Sequence, residues 1–291
     1  MHTYKRWMVG LDFTDMDHSL IRYTRFLAEI FSPDIIYFIH IEEDLEISQE
    51  LKEEFPEFAA PRDEMLKEEM RQEVGEIWGP DRSLIEYKVV EGSPNKEFLH
   101  WTTIKDIDLI VAGRKQDMNG SGIIPAQLAR KAQCSVLFVP ENPRLALSTL
   151  WVASDFSDQA KMAAEQALAL TRGHEDSTIF IHHVYTVPLG YYKTGKTELQ
   201  FAQIMQHHAE RRYQQFLEDI EGNTHSCQSV YTFDQEKSSP AGHVLQAAKD
   251  HKADLILLGA RGRNVLTAFF LGSVAEKLIK LNADTPMLLV K

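Results

Sequence analysis

Leu255-Ile256-Leu257-Leu258-Gly259-Ala260-Arg261-Gly262, then nine residues, then Gly272-Ser273-Val274-Ala275-Glu276-Lys277, is the stretch whose reading decides the fold. An apolar run ends in glycines, and the chain resumes as a helical pattern after Gly272. A buried strand that turns on glycine into a helix start can bring its backbone close to an anion. The helix N-terminus offers free N–H groups and a partial positive charge. Gly259 and Gly262 permit the tight turn, Gly272 leaves room where a phosphate chain would lie, and Ser273 can donate its hydroxyl. These residues point to a nucleotide-phosphate site in the second half.

Working outward from this stretch, the same landmarks occur twice. Met8-Val9-Gly10-Leu11-Asp12-Phe13-Thr14-Asp15 returns 143 residues later as Trp151-Val152-Ala153-Ser154-Asp155-Phe156-Ser157-Asp158. Ile36-Tyr37-Phe38-Ile39-His40-Ile41 returns as Ile179-Phe180-Ile181-His182-His183-Val184 at the same offset. Ser93-Pro94 and Asp108-Leu109-Ile110 through Gly113 return 146 residues later, at Ser239-Pro240 and Asp254-Leu255-Ile256 through Gly259. Val136-Leu137-Phe138-Val139 and Met287-Leu288-Leu289-Val290 close the two halves. The repeat predicts two domains, 1–143 and 144–291, which suits a chain of 291 residues.

Within each half, short apolar runs alternate with helical patterns. In the second half the helices are predicted at 157–171, 198–220, 241–251 and 273–281. Alternating strands and helices imply a parallel sheet covered on both faces, with ligands bound beyond the carboxyl ends of the strands. Asp12, Asp155, His40, His183, Gly113 and Gly259 all fall at such ends.

A hydrophobic share of 44% with 25% charged residues is ordinary for a globular protein. Cys134 and Cys227 fall in different halves and form no CxxC pair, which fits a reducing compartment. The N-terminus lacks a signal-peptide pattern, and no run reaches the length of a membrane span, so a cytoplasmic protein with no membrane partner is expected. The net charge of −12 argues against nucleic acid. Between Glu42 and Glu76 about fourteen acidic residues face about four basic ones, a solvated helix face or a docking surface for a basic partner.

Taken together, the repeat and the Gly-x2-Gly-x9-Gly-Ser string resemble the universal stress proteins, here as a tandem pair covering nearly all of the chain. That family belongs to an adenine-nucleotide-binding superfamily that includes electron-transfer flavoproteins. The resemblance implies two doubly wound, Rossmann-like α/β domains of the adenine-nucleotide α-hydrolase-like kind. It implies ATP, with or without Mg, in the second domain. Ala153, Ser154 and Asp155 would line the adenine and ribose side, and Val184 would pack near the base. Gly259, Arg261, Gly262, Gly272, Ser273 and Val274 would surround ribose and phosphates. Arg261 and Arg263 are the nearest cations in sequence.

Plainer roles compete. Ser273-Val274-Ala275-Glu276 also reads as a capping box. Asp155 and Ser157 both precede a helix and suit its cap. His183 reads as a hydrogen-bonded histidine near a strand end. In the first half an ungapped comparison sets Gln116 against Gly262 and Ala126-Gln127 against Gly272-Ser273, so the phosphate signature is degraded there. Gly120-Ser121-Gly122 offers a different anion-binding turn.

Gly190-Tyr191-Tyr192-Lys193-Thr194-Gly195-Lys196-Thr197 satisfies the P-loop string. Five residues separate it from the preceding strand, however, and no later strand ends in a convincing magnesium-binding Asp. A milder role would have Lys193 or Lys196 fold over a nucleotide. His182-His183, His207-His208, His225, His243 and His251 raise zinc, but adjacent strand residues point to opposite faces and no HExxH pair or thiol cluster appears.

No nucleophile–base–orienter set is evident. The expected function is a nucleotide-responsive stress or regulatory binding protein, in which ATP orders the Gly262–Gly272 loop and alters a surface read by a protein partner. A slow Mg-dependent ATPase and a structural interaction protein without nucleotide are the alternatives. Family members pair through the last strand, so the two halves are expected to form an intrachain pseudo-dimer, with a further homodimer left open.

Overall fold

Near-continuous apolar runs form parallel strands in both halves, as residues buried on both faces of a sheet require. The computed structural model describes residues 4–43, 61–79, 84–114, 125–173, 176–262, 271–282 and 284–291. It divides into two units, Thr3–Pro143 and Arg144–Lys291.

In the first unit β1 (Arg6–Leu11), α1 (Asp15–Phe31), β2 (Ile35–Glu42), α2 (Arg62–Trp78), β3 (Ile85–Glu91), α3 (Pro94–Ile104), β4 (Leu109–Arg114), α4 (Pro125–Lys131) and β5 (Ser135–Pro140) follow in turn. Their sheet order is β3-β2-β1-β4-β5, parallel throughout. The second unit repeats this with β6 (Thr149–Ala153), α5 (Asp158–Leu170), β7 (Thr178–Tyr185), α6 (Glu198–Asp219), β8 (Cys227–Phe233), α7 (Pro240–Asp250), β9 (Leu255–Gly259), α8 (Ser273–Leu281) and β10 (Met287–Val290). Its order is β8-β7-β6-β9-β10, also parallel. Both units are doubly wound and Rossmann-like, and the order of the second reverses between β6 and β9.

The four helices predicted in the second half lie within a single residue of their expected ends. Local chemistry fixes those ends. The Ser157 hydroxyl accepts the Ala160 N–H at 3.3 Å, and Pro240 sits in the first turn of α7, where a missing N–H costs nothing. The repeated aspartates Asp108 and Asp254 have a shared task. Asp108 accepts the backbone N–H groups of Lys5 and Arg6, and buried Asp254 accepts that of Thr149 at 3.0 Å and pairs with Arg144 at 2.9 Å. Each ties the start of one central strand to its neighbour.

Small residues bring α5 down onto the sheet: Ala160, Ala163, Ala164 and Ala167 are all buried. The approach is closest at Gly259, where a Cβ would lie 2.6 Å from Gln159 Cβ and 2.7 and 2.8 Å from its backbone C and O. Gly113 in the first unit meets Met16, the residue corresponding to Gln159, but there only side-chain atoms stand in the way, at 2.8 Å. Gly272 differs: its φ of −61° suits any residue, and a Cβ would sit at an ordinary 3.5 Å from its nearest neighbours.

Gly259→Ala is therefore expected to destabilise the second unit by about 1–3 kcal/mol through overpacking. Gly272→Ala should stay within roughly 0.5 kcal/mol of the parent. Urea denaturation of both variants, without ligand, checks the contrast.

Candidate functional site

At the carboxyl ends of β6, β7 and β9, where the strand order reverses, lies a cleft of about 430 Å³. That size falls in the range of small-molecule sites. All ten residues singled out from the sequence line it. Ala153, Ser154 and Asp155 leave β6, and Val184 stands near the end of β7. Gly259, Arg261 and Gly262 leave β9, and Gly272, Ser273 and Val274 enter α8. The Gly272 N–H donates to Ala260 O at 2.9 Å, which closes the β9 turn onto the helix start. At Gly262 a Cβ would lie 3.1 Å from Asp155 Oδ2, so a side chain there requires that carboxylate to shift. Residues 263–270, including Arg263 and most of the Gly262–Gly272 loop, lie outside the described residues.

The capping box expected at Ser273 is not there. Gly272 is the N-cap residue of α8, Ser273 is already helical, and no side chain caps this end among the described residues. The helix starts one residue earlier than the box requires, which puts Ser273 in the first turn on the wall of the cleft. Asp155 is not the cap of α5 either: that is Ser157. Asp155 Oδ1 accepts the Ser157 N–H at 3.1 Å and so shapes the loop just before the helix.

That loop is held by an aromatic latch present in both units. Phe156 adopts φ 58° and Phe13 φ 54°, a left-handed conformation that bulky residues seldom occupy. The His183 ring packs 4.6 Å from Phe156, and its Nδ1–H donates to Ser154 O at 2.8 Å. His40 does the same with Phe13 at 4.5 Å and Leu11 O at 3.0 Å. His183 is thus a loop-holding group, as its strand-end position suggested.

Arg212, from the middle of α6, is a cleft residue that sequence reasoning missed. It donates to Asp155 O at 2.8 Å and lies over the Phe156 ring at 4.9 Å. In sequence it is one charge among many on a long polar helix, and no local motif marks it. Ala160, His182, Pro240 and Val244 also line the cleft and carry no phosphate-site signal.

The P-loop string takes another shape. Gly190 and Gly195, both left-handed, flank a 3-10 turn at Tyr191–Thr194. Thr197 caps α6, accepting the Gln200 N–H at 3.2 Å while Gln200 Oε1 accepts the Thr197 N–H at 3.0 Å. The capping box of this unit is here, and its Thr hydroxyl is engaged in it. Lys193 and Lys196 are not among the described residues lining the cleft; Lys196 stands beside Gln200, Gln203, Ile204 and His207. No group of three or more metal-ligating side chains occurs among the described residues. No helix among them is long and apolar enough to cross a membrane.

Residues 3–140 and 148–291 each match the model of the Universal stress protein family. The chain belongs to this family. It is similar to a universal stress protein of Thermus aquaticus, encoded in the 3′ region of a QAH/OAS sulfhydrylase, at 33% identity over 147 residues, 49% of this chain and 98% of the relative. Universal stress protein Sll1388 of Synechocystis is 30% identical over 136 residues, 44% of this chain and 88% of the relative. Among solved structures, a universal stress protein of Archaeoglobus fulgidus shares the fold with TM-score 0.62 at 16% identity, covering 98% of this chain and 96% of that one. Protein PA1789 of Pseudomonas aeruginosa, described as functionally unknown, does so with TM-score 0.65 at 12% identity, covering 99% and 92%.

The two universal stress units differ where the cleft lies. Val244 on α7 corresponds to Phe98 on α3, a larger side chain and fully buried. Ala160 corresponds to Asp17, also buried, whose Oδ2 accepts the N–H groups of Asp12 at 2.9 Å and Phe13 at 2.7 Å. The first unit therefore places its own carboxylate against the strand-end loop. The ungapped pairing of Ala126-Gln127 with Gly272-Ser273 needs correction: both residues lie inside the first turn of α4, not ahead of it. Among the described residues α4 is already helical at Pro125, so Ala126-Gln127 do not occupy the N-cap and first-turn places of Gly272-Ser273. Gln116 and Gly120-Ser121-Gly122 lie outside the described residues.

Burial, with the charges of Asp12 and Glu73 behind it, raises the Asp17 carboxyl from 3.8 to about 7, against the pull of the two N–H donors. A carboxyl raised on folding favours the protonated fold, so its stabilising share is present below the unfolded value and is lost as pH rises through about 7. Stability of the first unit should fall by on the order of 1 kcal/mol between roughly pH 6 and 8. In Asp17→Asn most of that slope should vanish, and urea midpoints at the two pH values measure it.

Proposed function

We propose that the second unit binds an adenine nucleotide, with ATP the leading candidate, and that the protein acts as a nucleotide-responsive regulatory binding protein in the cytosol. In this reading the first unit stays free of nucleotide. The observation that carries it is the convergence, on one cleft at the reversal of strand order, of every residue of the Gly-x2-Gly-x9-Gly-Ser string together with the Asp155 loop.

The chemistry suits a nucleotide at both ends. Over β9 the wall is turn backbone and the start of α8, where N–H groups lack carbonyl partners within the helix and favour an anion. Arg261 and Arg212 add cationic side chains to a protein of net charge −12. Toward β7 the apolar side chains Ala153, Val184, Pro240 and Val244 line the cleft beside His182 and His183, a setting that suits a flat heterocycle. A magnesium ion would be carried by the phosphates, with no dedicated protein cage needed. In the first unit Asp17 sets a buried acid at the corresponding loop, and the fully buried Phe98 stands where the second unit has Val244.

Isothermal titration with ATP is expected to show one site per chain. Gly262→Gln should abolish it by driving a side chain toward Asp155, and Gly272→Ala should weaken it by about tenfold or more, ~1.4 kcal/mol, with the fold intact. Absence of binding by the parent protein, or unchanged binding by both variants, would remove the proposal.

A further inference from the structure

The P-loop string between β7 and α6 lines no part of the cleft, and its charge and surface set it apart from the rest of the chain. From Thr186 to Thr197 the connection carries Lys193 and Lys196 and no acid, in a chain of net charge −12. The connection at the same place in the first unit, 43–61, has seven acids and one lysine, so the positive sign is particular to the second. Six large hydrophobic side chains are exposed among the described residues, and three of them, Leu189, Tyr192 and Leu199, fall here, at 92%, 67% and 67%. Apolar side chains left singly in water are ordinary, but three within one short stretch mark an interaction surface.

The turn is built to hold these residues outward. On its inner side Tyr191 and Phe201, with ring centroids 6.3 Å apart, pack against the buried cluster of Tyr185, Val187 and Ala202. Gly190 and Gly195, at φ 87° and 72°, redirect the chain on either side of the turn. The Lys193 N–H donates to Gly190 O at 3.0 Å, the Gly195 N–H to Tyr192 O at 3.1 Å and the Thr194 hydroxyl to Tyr191 O at 2.6 Å. Lys193 and Lys196 are exposed, and neither pairs with a carboxylate among the described residues. Beside them Gln200, Gln203, Ile204, His207 and His208 of α6 line, with Lys196, an open groove of about 430 Å³. A surface whose backbone is already ordered loses little entropy when a partner meets it.

We propose that the turn from Leu189 to Leu199 and the adjoining groove of α6 dock an acidic, extended peptide segment of a partner protein. Its apolar side chains meet Leu189, Tyr192 and Leu199, and its carboxylates meet Lys193 and Lys196. Its main chain meets the Gln200 and Gln203 amides. Charge complementarity selects this occupant, since a basic segment would be repelled by the two lysines. A nucleic acid or an anionic lipid surface presents charge across a whole face, and so meets the acids of a chain at −12 as well. A peptide touches this patch alone, and exposed charges beyond a screening length of about 8–10 Å count little. The inference goes beyond the nucleotide reading and stands without it.

Fluorescence anisotropy on the full chain, without nucleotide, tests this with a labelled synthetic peptide that alternates Glu with Leu and Phe. Saturable binding that weakens as salt rises is expected, while the same peptide with Lys in place of Glu should not bind. Tyr192→Ala and Leu199→Ala, both at exposed positions, should each weaken binding by about fivefold. The double variant Lys193→Glu with Lys196→Glu should weaken it by about tenfold or more. Ile104→Ala, at an exposed residue of α3, should leave it unchanged. Failure of the acidic peptide to bind, equal binding of the two peptides, or unchanged binding by the Tyr192 and lysine variants overturns the proposal. Co-sedimentation with phosphatidylcholine–phosphatidylserine vesicles that the lysine variant abolishes overturns it too, and makes this a lipid-facing surface instead.

Discussion

The contact between Gly259 and Gln159 is the constraint from which the rest of the second unit follows. With backbone atoms of α5 less than 3 Å from where a Cβ would stand, only glycine lets helix and central strand meet at this distance. The alanines of α5 extend the same close packing along the strand. The loop from Ser154 to Ser157 leads into this helix, and within it Phe156 adopts the left-handed region, as Phe13 does in the first unit. His183 and Arg212 then hold that turn from either side, one on the Ser154 carbonyl and one on the Asp155 carbonyl. The cleft is the space these constraints leave beyond the strand ends.

This contact also separates two roles that a glycine string runs together. Gly259 belongs to the fold, because backbone atoms of Gln159 stand where its Cβ would be. Gly272 has no steric need for its missing side chain against its protein neighbours. A glycine with no structural reason, at the N-cap of a helix facing a cleft, is the one whose bareness a ligand would use.

Much of this was legible in the sequence because the repeat doubled every signal. Strand runs, helix ends, the two-unit division and the gathering of all ten cleft residues follow from short-range patterns set in a known order. What was not legible depends on contacts between distant segments. Arg212 enters the cleft from a helix whose sequence is that of a solvated surface, and distant groups such as the Asp155 carbonyl and the Phe156 ring give it a place. The two capping strings show the limit from the other side. Ser273-Val274-Ala275-Glu276 and Thr197 with Gln200 both fit the pattern, yet only the second forms the box, because α8 begins one residue earlier to keep Gly272 at the turn. The same geometry absorbs the P-loop string, whose last residue is that cap. String matches cannot weigh such competition, since the deciding term is where the preceding strand releases the chain.

Between the two units the fold is constant and the contents of the strand ends are not. Phe98 for Val244, Asp17 for Ala160 and Ile39 for His182 exchange volume, charge and polarity at three points around one space. Asp17 answers the loop N–H groups within the chain, so its unit needs no external anion to satisfy them, and burying that acid raises its pKa. The second unit satisfies the corresponding loop with the neutral hydroxyl of Ser154 and the rim carboxylate of Asp155, and keeps alanine where the acid would be. In a chain of net charge −12, removing one buried carboxylate from beside the helix start changes the local field more than distant surface lysines can. Uncharged lining toward β7, with arginines and a helix dipole on the other side, is how the proposed site of an acidic protein would offer an anion a favourable place.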